Sequence, residues 1–210
     1  MNIAAGDKKV PVLLAKAKAV PYSDYAFRAL PGSSVVHNLH FEHLWAGTSA
    51  GRCNPEGVAR LYLSLERQTA DAEFRHYQEK GGCDPNLADF YSFSVKVNLT
   101  RVLDLREKGT RKLFDLSVDK IPADWEPDPL GSSRHPPLTR LQVIGYWISE
   151  GCADFSGIIC HSARRRGGHN LVIFQRQLAV GDLVVPISSV ATKGWSHSAT
   201  HDTLSAGSEI

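Results

Sequence analysis

The chain carries little net charge, and this shortage excludes two classes of partner. Its 24 Lys and Arg residues nearly balance its 22 Asp and Glu residues, which leaves a formal net charge of +2 over 210 residues. A chain so close to neutrality has no general electrostatic attraction for nucleic acid or for an anionic membrane surface. We therefore expect neither direct nucleic-acid binding nor membrane association.

Cysteines and long apolar runs are also scarce. The four cysteines form no C-x-x-C pair. They are Cys53, Cys83, Cys152 and Cys160. A domain of this length does not depend on disulfides, so a reduced, cytoplasmic protein is expected. The apolar run from Val10 to Leu14 is interrupted by Pro11 and is too short for a signal peptide or a membrane span.

What the chain does have is the composition of a globular domain, at 42% hydrophobic and 22% charged residues. We predict a lead-in over residues 1–20, one domain over residues 21–190, and a polar, flexible tail over residues 191–210. The stretch 121–137 contains five prolines and is expected to be an irregular surface loop.

Strand patterns outnumber helix patterns along the chain. Apolar residues alternate with polar ones from Tyr91 to Leu99, which predicts a half-buried strand. Helices are predicted over residues 65–80 and 139–150, and shorter strands over residues 25–29, 59–64, 157–160, 171–174 and 182–187. Because most connections are too short for parallel crossovers, we predict an α+β fold with a mixed, mainly antiparallel sheet and flanking helices.

A glutamate stands out on the first predicted helix. Ala70, Phe74 and Tyr77 form its apolar stripe, and Glu73 lies within about 60° of the stripe's centre on a helical wheel. Burying an unpaired charge costs several kcal/mol, so a carboxylate at this edge is either paired or functional. A salt-bridged glutamate at the rim of a core is the more common case. Glu66, in the first turn, is interpreted as a complement to the helix dipole.

Two arginines and a tyrosine precede this helix. Arg52 lies in a turn beside Gly51, which lets the backbone approach a ligand, and its planar fork suits a phosphate. Arg28 could be a second phosphate clamp. Tyr62 faces opposite to its strand neighbours and could stack on a flat ring. An exposed turn arginine, a surface ion pair and a packed tyrosine are the simpler alternatives.

A second polar group follows a predicted strand near residue 160. Ser162 lies at the tip of that strand, and Asn170 opens the next one after a glycine-containing loop. The G-x-S-x-G pattern of a serine nucleophile is absent, so Ser162 is interpreted as a ligand-binding hydroxyl. An ordinary turn-capping serine is the alternative.

Four segments in order resemble the RES domain family, named for its arginine, glutamate and serine. They are "FRA" at 27–29, "GRCNPEG" at 51–57, "RLYLSLERQTADAEF" at 60–74 and "GIICHSARRRGGHNLVIF" at 157–174. The resemblance departs from the usual pattern at Cys53, where a Trp or Phe is common, and at Phe27, where Tyr is frequent. The 121–137 insert has no place in that pattern.

The resemblance implies a fold, a reaction and a partner. RES domains are similar in fold to diphtheria-toxin-like ADP-ribosyltransferases. They are toxins of toxin–antitoxin pairs that consume NAD⁺ as a substrate, and the antitoxin, with an Xre-type helix-turn-helix, blocks the active-site cleft. The resemblance places the family's catalytic residues on Arg52, Tyr62 and Glu73. It also places NAD⁺ binding on Arg28, Arg52, Tyr62 and Ser162, with Asn170 as a further candidate.

The residues suit that chemistry. Cleavage of the nicotinamide–ribose bond passes through an oxocarbenium-like state, and nicotinamide leaves as a neutral molecule. One carboxylate can stabilise the developing positive charge while arginines hold the pyrophosphate. The ADP-ribose acceptor, whether a protein, phosphate or water, stays open.

Two other functions remain as alternatives. His37, His40 and His43, with Glu42, are spaced as a loose metal-ligand cluster, although no metal is expected because zinc sites usually pair histidines at i, i+4. A catalytically inactive scaffold of the same family is the other alternative. Retention of Arg52, Tyr62 and Glu73 together argues against it, since loss of catalysis should free at least one of them.

Overall fold

The protein is described by a computed structural model that covers residues 8–32, 47–82, 89–118, 121 and 138–192. Its helices are α1 Val10–Lys16, α2 Arg67–Lys80, α3 Lys108–Leu113 and α4 Arg140–Ser149. Its strands are β1 Ala19–Pro31, β2 Leu61–Ser64, β3 Phe90–Asp104, β4 Gly157–His161, β5 His169–Ile173 and β6 Leu183–Thr192.

The strands form one sheet that closes on itself. Strand order is β1-β2-β5-β4-β3-β6, and β1 also pairs with β3, so five strands make a ring and β6 adds to the outside of β3. Among the described strands β3 and β4 are parallel, and every other pair is antiparallel. The predicted α+β fold with a mixed, mainly antiparallel sheet is confirmed.

The 15-residue strand β3 is the longest element of the ring. It pairs with β1 along one edge, and with β6 and β4 in succession along the other. The predicted alternation holds, because Phe93, Val95, Val97 and Leu99 are all buried while residues between them are partly exposed. A strand flanked on both edges has no unpaired backbone to expose.

Two apolar cores lie on the two faces of this sheet. One fills the ring with side chains from all five of its strands. It is formed by Ala26, Leu61, Leu63, Phe93, Val95, Val97, Leu99, Val102, Ile159, Leu171 and Ile173. The other lies outside the ring, between strands β2, β4 and β5 and helices α1 and α4.

The helices form where the sequence predicts them, with two differences. Helix α4 begins with a capping box, in which Thr139 and Gln142 exchange hydrogen bonds between side chain and backbone. Tyr77 was expected in the buried stripe of α2 but is 72% exposed, because the buried face of that helix ends at Phe74. Helix α3, which contains Gly109 and three charged residues, was not predicted from the sequence.

The structure describes part of the predicted lead-in but not most of the two segments predicted to be irregular. In the lead-in, α1 packs Val10 and Leu14 into the outer core, and β1 begins at Ala19 rather than near Tyr25. Residues 122–137 and 193–210 lie outside the described residues, so the proline-rich loop and the flexible tail stay predictions. No helix in the described ranges is both long and apolar enough to cross a membrane.

The packing of the ring interior gives a first prediction. Leu99 is fully buried there, so Leu99→Ala should lower the free energy of unfolding by about 3 kcal/mol through lost burial and a residual cavity. Leu183→Ala, at a leucine that is 46% exposed on β6, should cost well under 1 kcal/mol. Urea denaturation of both variants measures the difference, and equal losses would contradict a packed ring interior.

Candidate active site

Glu73 projects from the second turn of α2 toward the end of strand β4 and the start of strand β5. Its Oε1 accepts hydrogen bonds of 2.7 Å from Ser162 Oγ and 2.7 Å from Asn170 Nδ2, and lies 3.7 Å from Nη2 of Arg52. Among the described residues its Oε2 has no hydrogen-bond partner. The side chain is 27% exposed, so one carboxylate oxygen is anchored and the other is open.

Ser162 follows β4 and holds Glu73 with all of its hydrogen-bonding capacity. Its Oγ accepts the backbone N–H groups of Arg164 at 3.0 Å and Arg165 at 3.2 Å, while its hydroxyl donates to Glu73. A serine hydroxyl offers one donor and two acceptor positions. In the structure this hydroxyl makes an orienting contact to Glu73, and direct ligand binding by Ser162 stays a prediction.

Asn170, in β5, is oriented by a neighbouring strand. Its Oδ1 accepts a 2.9 Å hydrogen bond from Ser64 Oγ of β2, which directs Nδ2 at Glu73. The side chain is buried, and Ser64 and Asn170 are paired in the sheet register. The turn at Arg52, helix α2 and the segment from Ser162 to Asn170 thus meet at one carboxylate.

Arg52 lies under this carboxylate and is almost completely buried, with 9% exposure. Its Nη1 donates a 3.1 Å hydrogen bond to the backbone carbonyl of His161, and its Nε has no partner. Burial acts to lower the pKa of Arg52, but the neighbouring Cys160 and Glu73 outweigh it and raise that pKa. The guanidinium is therefore a permanent cation at the floor of the site.

The turn that carries Arg52 is held by Tyr62. The turn closes by reciprocal backbone hydrogen bonds between Gly51 and Asn54. The Tyr62 hydroxyl accepts the Cys53 N–H at 2.7 Å and donates to Asn54 Oδ1 at 3.2 Å. Burial raises the pKa of Tyr62 well above its usual value, so the hydroxyl keeps its proton. Tyr62 does face opposite to Leu61 and Leu63, but its ring packs against the outer core.

Helix α4 fixes the same turn from the other side. Gln142 Nε2 donates to the Gly51 carbonyl at 2.9 Å. A Cβ at Gly145 would lie 1.7 Å from the Cys53 carbonyl oxygen, so only glycine lets the turn approach this helix. Sequence analysis missed both residues, because a helical glutamine and a helical glycine carry no sequence signal until their neighbours are known.

Cys53, which departs from the family pattern, lies against Cys160. The two sulfurs are 3.8 Å apart and both side chains are buried. The hydrogen bond to Cys160 and burial raise the pKa of Cys53, while the hydrogen bond from Cys53 lowers the pKa of Cys160. Both are free thiols, as is Cys152, and Cys83 lies outside the described residues.

Arg28 is near this network but makes no contact with Glu73 among the described residues. Strands β1 and β2 share one paired position, Phe27 with Ser64, and then part. Where the two strands separate, Arg28 lies on β1 directly after the paired Phe27, and Arg60 lies directly before β2. Burial and the neighbouring Arg60 lower the pKa of Arg28 to about 10.

Neither guanidinium has an acidic partner in the described part of the chain. Nη1 of Arg28 is buried without a hydrogen-bond partner. Arg60 donates to Asn54 Oδ1 at 2.9 Å and to Ser49 Oγ at 3.2 Å, and lies over the Tyr62 ring. Two adjacent desolvated cations without a carboxylate favour an anionic ligand between them. Arg60 was not identified from the sequence, where it is one arginine within the predicted strand 59–64.

The proposed histidine cluster falls in a part of the chain that the structure does not describe. His37, His40, His43 and Glu42 lie outside the described residues. Within the described ranges no group of three or more His, Cys, Asp or Glu side chains is arranged to hold a metal ion.

The close contact between α4 and the arginine turn gives a second prediction. Gly145→Ala should push the turn away from the helix and lower the free energy of unfolding by about 1–3 kcal/mol, as overpacking does. Gly109→Ala is the matched control, because a Cβ there meets Glu107 Oε2 at an ordinary 3.5 Å in helix α3. Thermal unfolding of both variants measures the effect, and a tolerated Gly145→Ala would argue against the fixed turn.

The Tyr62 hydroxyl gives a third prediction, which separates two roles of this residue. Tyr62→Phe removes the acceptor of a buried N–H and should cost about 1–3 kcal/mol of stability, with Arg52 displaced. If the ring acted by stacking on a ligand, phenylalanine would keep full ligand affinity and stability. Tyr22→Phe, which loses a single exposed hydrogen bond to the Tyr25 carbonyl, is the control in urea denaturation.

Comparison with known proteins agrees with the family resemblance. The RES domain model matches residues 26–195. One similar solved structure is the crystal structure of the M. tuberculosis MbcT–MbcA toxin–antitoxin complex, with a TM-score of 0.66 and 18% identity, covering 90% of this chain and 95% of that chain. The two chains share a fold at this level of identity. Comparison with curated proteins gave no match. Since the family model spans most of the chain, from β1 to just beyond β6, the protein belongs to the RES domain family.

Proposed function

We propose that this protein is the toxin of a toxin–antitoxin system and consumes NAD⁺. In the proposed reaction it cleaves the nicotinamide–ribose bond and transfers ADP-ribose to a protein side chain, phosphate or water. The observation that carries the proposal is the Glu73 carboxylate, which is anchored through Oε1 and open at Oε2, beside the buried cation of Arg52. Membership in the RES family supports it, and an ADP-ribosyltransferase-like arrangement of the fold is part of the same proposal.

Glu73 has the geometry that such a cleavage requires. As the glycosidic bond breaks, positive charge develops on the ribose, and a fixed carboxylate oxygen stabilises that charge. Ser162 and Asn170 hold Oε1, so the carboxylate does not have to reorient during the reaction. Nicotinamide leaves as a neutral molecule, so the site needs no general acid.

The arginines suit the charge of the dinucleotide. Its pyrophosphate carries two negative charges, and the uncompensated pair Arg28 and Arg60 would neutralise them while positioning the ribose. Arg52, whose Nη1 is committed to the His161 carbonyl, would contribute its charge from beneath the site. Tyr62 serves the reaction through the turn that it holds, while nicotinamide stacking on its ring stays a prediction.

The proposal includes a partner. The similar chain comes from a structure described as a toxin–antitoxin complex. By analogy, an antitoxin with an Xre-type helix-turn-helix would bind this protein and cover the cleft at Glu73. Growth inhibition on expression, relieved by coexpression of a candidate antitoxin with an Xre-type helix-turn-helix, would support this part of the proposal.

Neutralising the central carboxylate gives a fourth prediction. Glu73→Gln should lower NAD⁺ consumption by about 100-fold, the usual effect of removing one transition-state contact, with the fold retained. Glu79→Gln is the matched control on the same helix, since that side chain is 57% exposed and lies beside His76. Purified proteins are incubated with NAD⁺ and nicotinamide release is measured. Equal activity of both variants would reject the role of Glu73, and no release by the wild type would reject the reaction.

The same incubation identifies the acceptor. Parallel reactions contain NAD⁺ alone, NAD⁺ with inorganic phosphate, and NAD⁺ with cell extract, and mass spectrometry follows each. Free ADP-ribose indicates hydrolysis, a phosphorylated ADP-ribose indicates phosphorolysis, and a mass increase on an extract protein indicates ADP-ribosyl transfer.

A further inference from the structure

A second glutamate, Glu66, directly precedes helix α2 and connects that helix to strand β5, as Glu73 also does. It is the N-cap residue of the helix, but its side chain does not cap the helix backbone. Its Oε2 accepts the Thr69 hydroxyl at 2.6 Å and the His169 backbone N–H at 3.0 Å, and its Oε1 lies 3.1 Å from His169 Nδ1. One carboxylate therefore ties the start of α2 to the start of β5.

The loop that carries Ser162 is tied to the same point. Arg165 donates to Gln68 Oε1 at 2.7 Å and to Thr69 Oγ1 at 3.3 Å, and its Nη1 lies 3.9 Å from Glu66 Oε2. A Cβ at Gly168 would lie 2.4 Å from Thr69 Oγ1, so the loop approaches the helix as closely as glycine permits. The Glu66 clamp, defined as Glu66, Thr69, Arg165 and His169, fastens this loop to the helix.

The clamp holds both the helix that carries Glu73 and the segment that carries its two hydrogen-bond donors. Glu73 lies two turns further along the helix that the clamp holds. Ser162 and Asn170 lie at the two ends of the segment that the clamp fastens, and His169 is the residue directly before Asn170. Burial acts to raise the pKa of Glu66, but the hydrogen bonds from Thr69 and His169 outweigh it and lower that pKa. The carboxylate is therefore ionised at neutral pH.

We infer that Glu66 is a positioning residue, which sets the distance between Glu73 on α2 and its two anchors through the clamp. The inference rests on the proposed function, because the geometry it maintains is the one proposed to stabilise the ribose cation. It replaces the interpretation of Glu66 as a simple complement to the helix dipole. The substrate would bind through Arg28 and Arg60, which make no contact with the clamp among the described residues, so the clamp should affect turnover and not affinity.

Kinetics of NAD⁺ consumption give the fifth prediction. Glu66→Ala should lower kcat about tenfold with KM within about twofold, since misplacement of a catalytic group weakens the transition state more than binding. Glu66→Gln should restore most of kcat, because its amide oxygen can still accept from Thr69 and His169. Glu107→Ala is the matched control, as Glu107 is also an N-cap glutamate but serves helix α3, which carries no site residue. Equal kcat for Glu66→Ala and Glu107→Ala would overturn the inference.

Amide hydrogen exchange tests the clamp independently of any activity. In Glu66→Ala the amides of residues 162–168 should exchange faster than in the wild type, while Glu107→Ala should leave them unchanged. If Glu66→Ala does not fold, Thr69→Val takes its place, with Thr69→Ser as the variant that keeps the hydroxyl. Unchanged exchange in this loop overturns the clamp. If the wild type does not consume NAD⁺, the proposed reaction fails while the exchange result still decides whether the clamp exists.

Discussion

The structure of the site depends on hydrogen bonds to one oxygen atom. Oε1 of Glu73 receives the hydroxyl of Ser162 and the amide of Asn170, with the guanidinium of Arg52 nearby. These groups come from the end of β4, from β5 and from a turn before β2. A partly buried carboxylate is costly unless it is paired and hydrogen-bonded, so these segments are held at fixed distances by the need to satisfy it.

Each group that contacts Oε1 is itself held in place by further hydrogen bonds. Ser162 is fixed by two backbone N–H groups, Asn170 by Ser64, and the Arg52 turn by Tyr62 and by α4. Such supported contacts restrict side chains to one arrangement, which is what a preorganised site requires. The apolar cores on the two faces of the sheet keep the supporting elements in register.

Much of this could be predicted from the sequence, and the part that could not has a common cause. Local patterns identified α2, α4 and β3. Family motifs singled out Glu73, Arg52 and Ser162, and a strand-end position singled out Asn170, and the structure brings these four side chains together. The sequence did not reveal that Ser162 and Asn170 bind Glu73, because these contacts join residues 89 and 97 positions apart. The burial of Tyr77 was predicted wrongly, since a helical wheel orders side chains around the helix axis but does not show which turns other elements cover.

The closure of the sheet has a consequence for synthesis on the ribosome. Strand β2 pairs with its neighbour β5 only after about half of the chain has followed it, and Arg52 reaches its carbonyl partner at His161 across 109 positions. Non-local pairings of this kind form late in folding. A nascent chain that has not yet produced β5 has no anchored carboxylate, so the assembled centre appears only when translation of the domain is nearly finished.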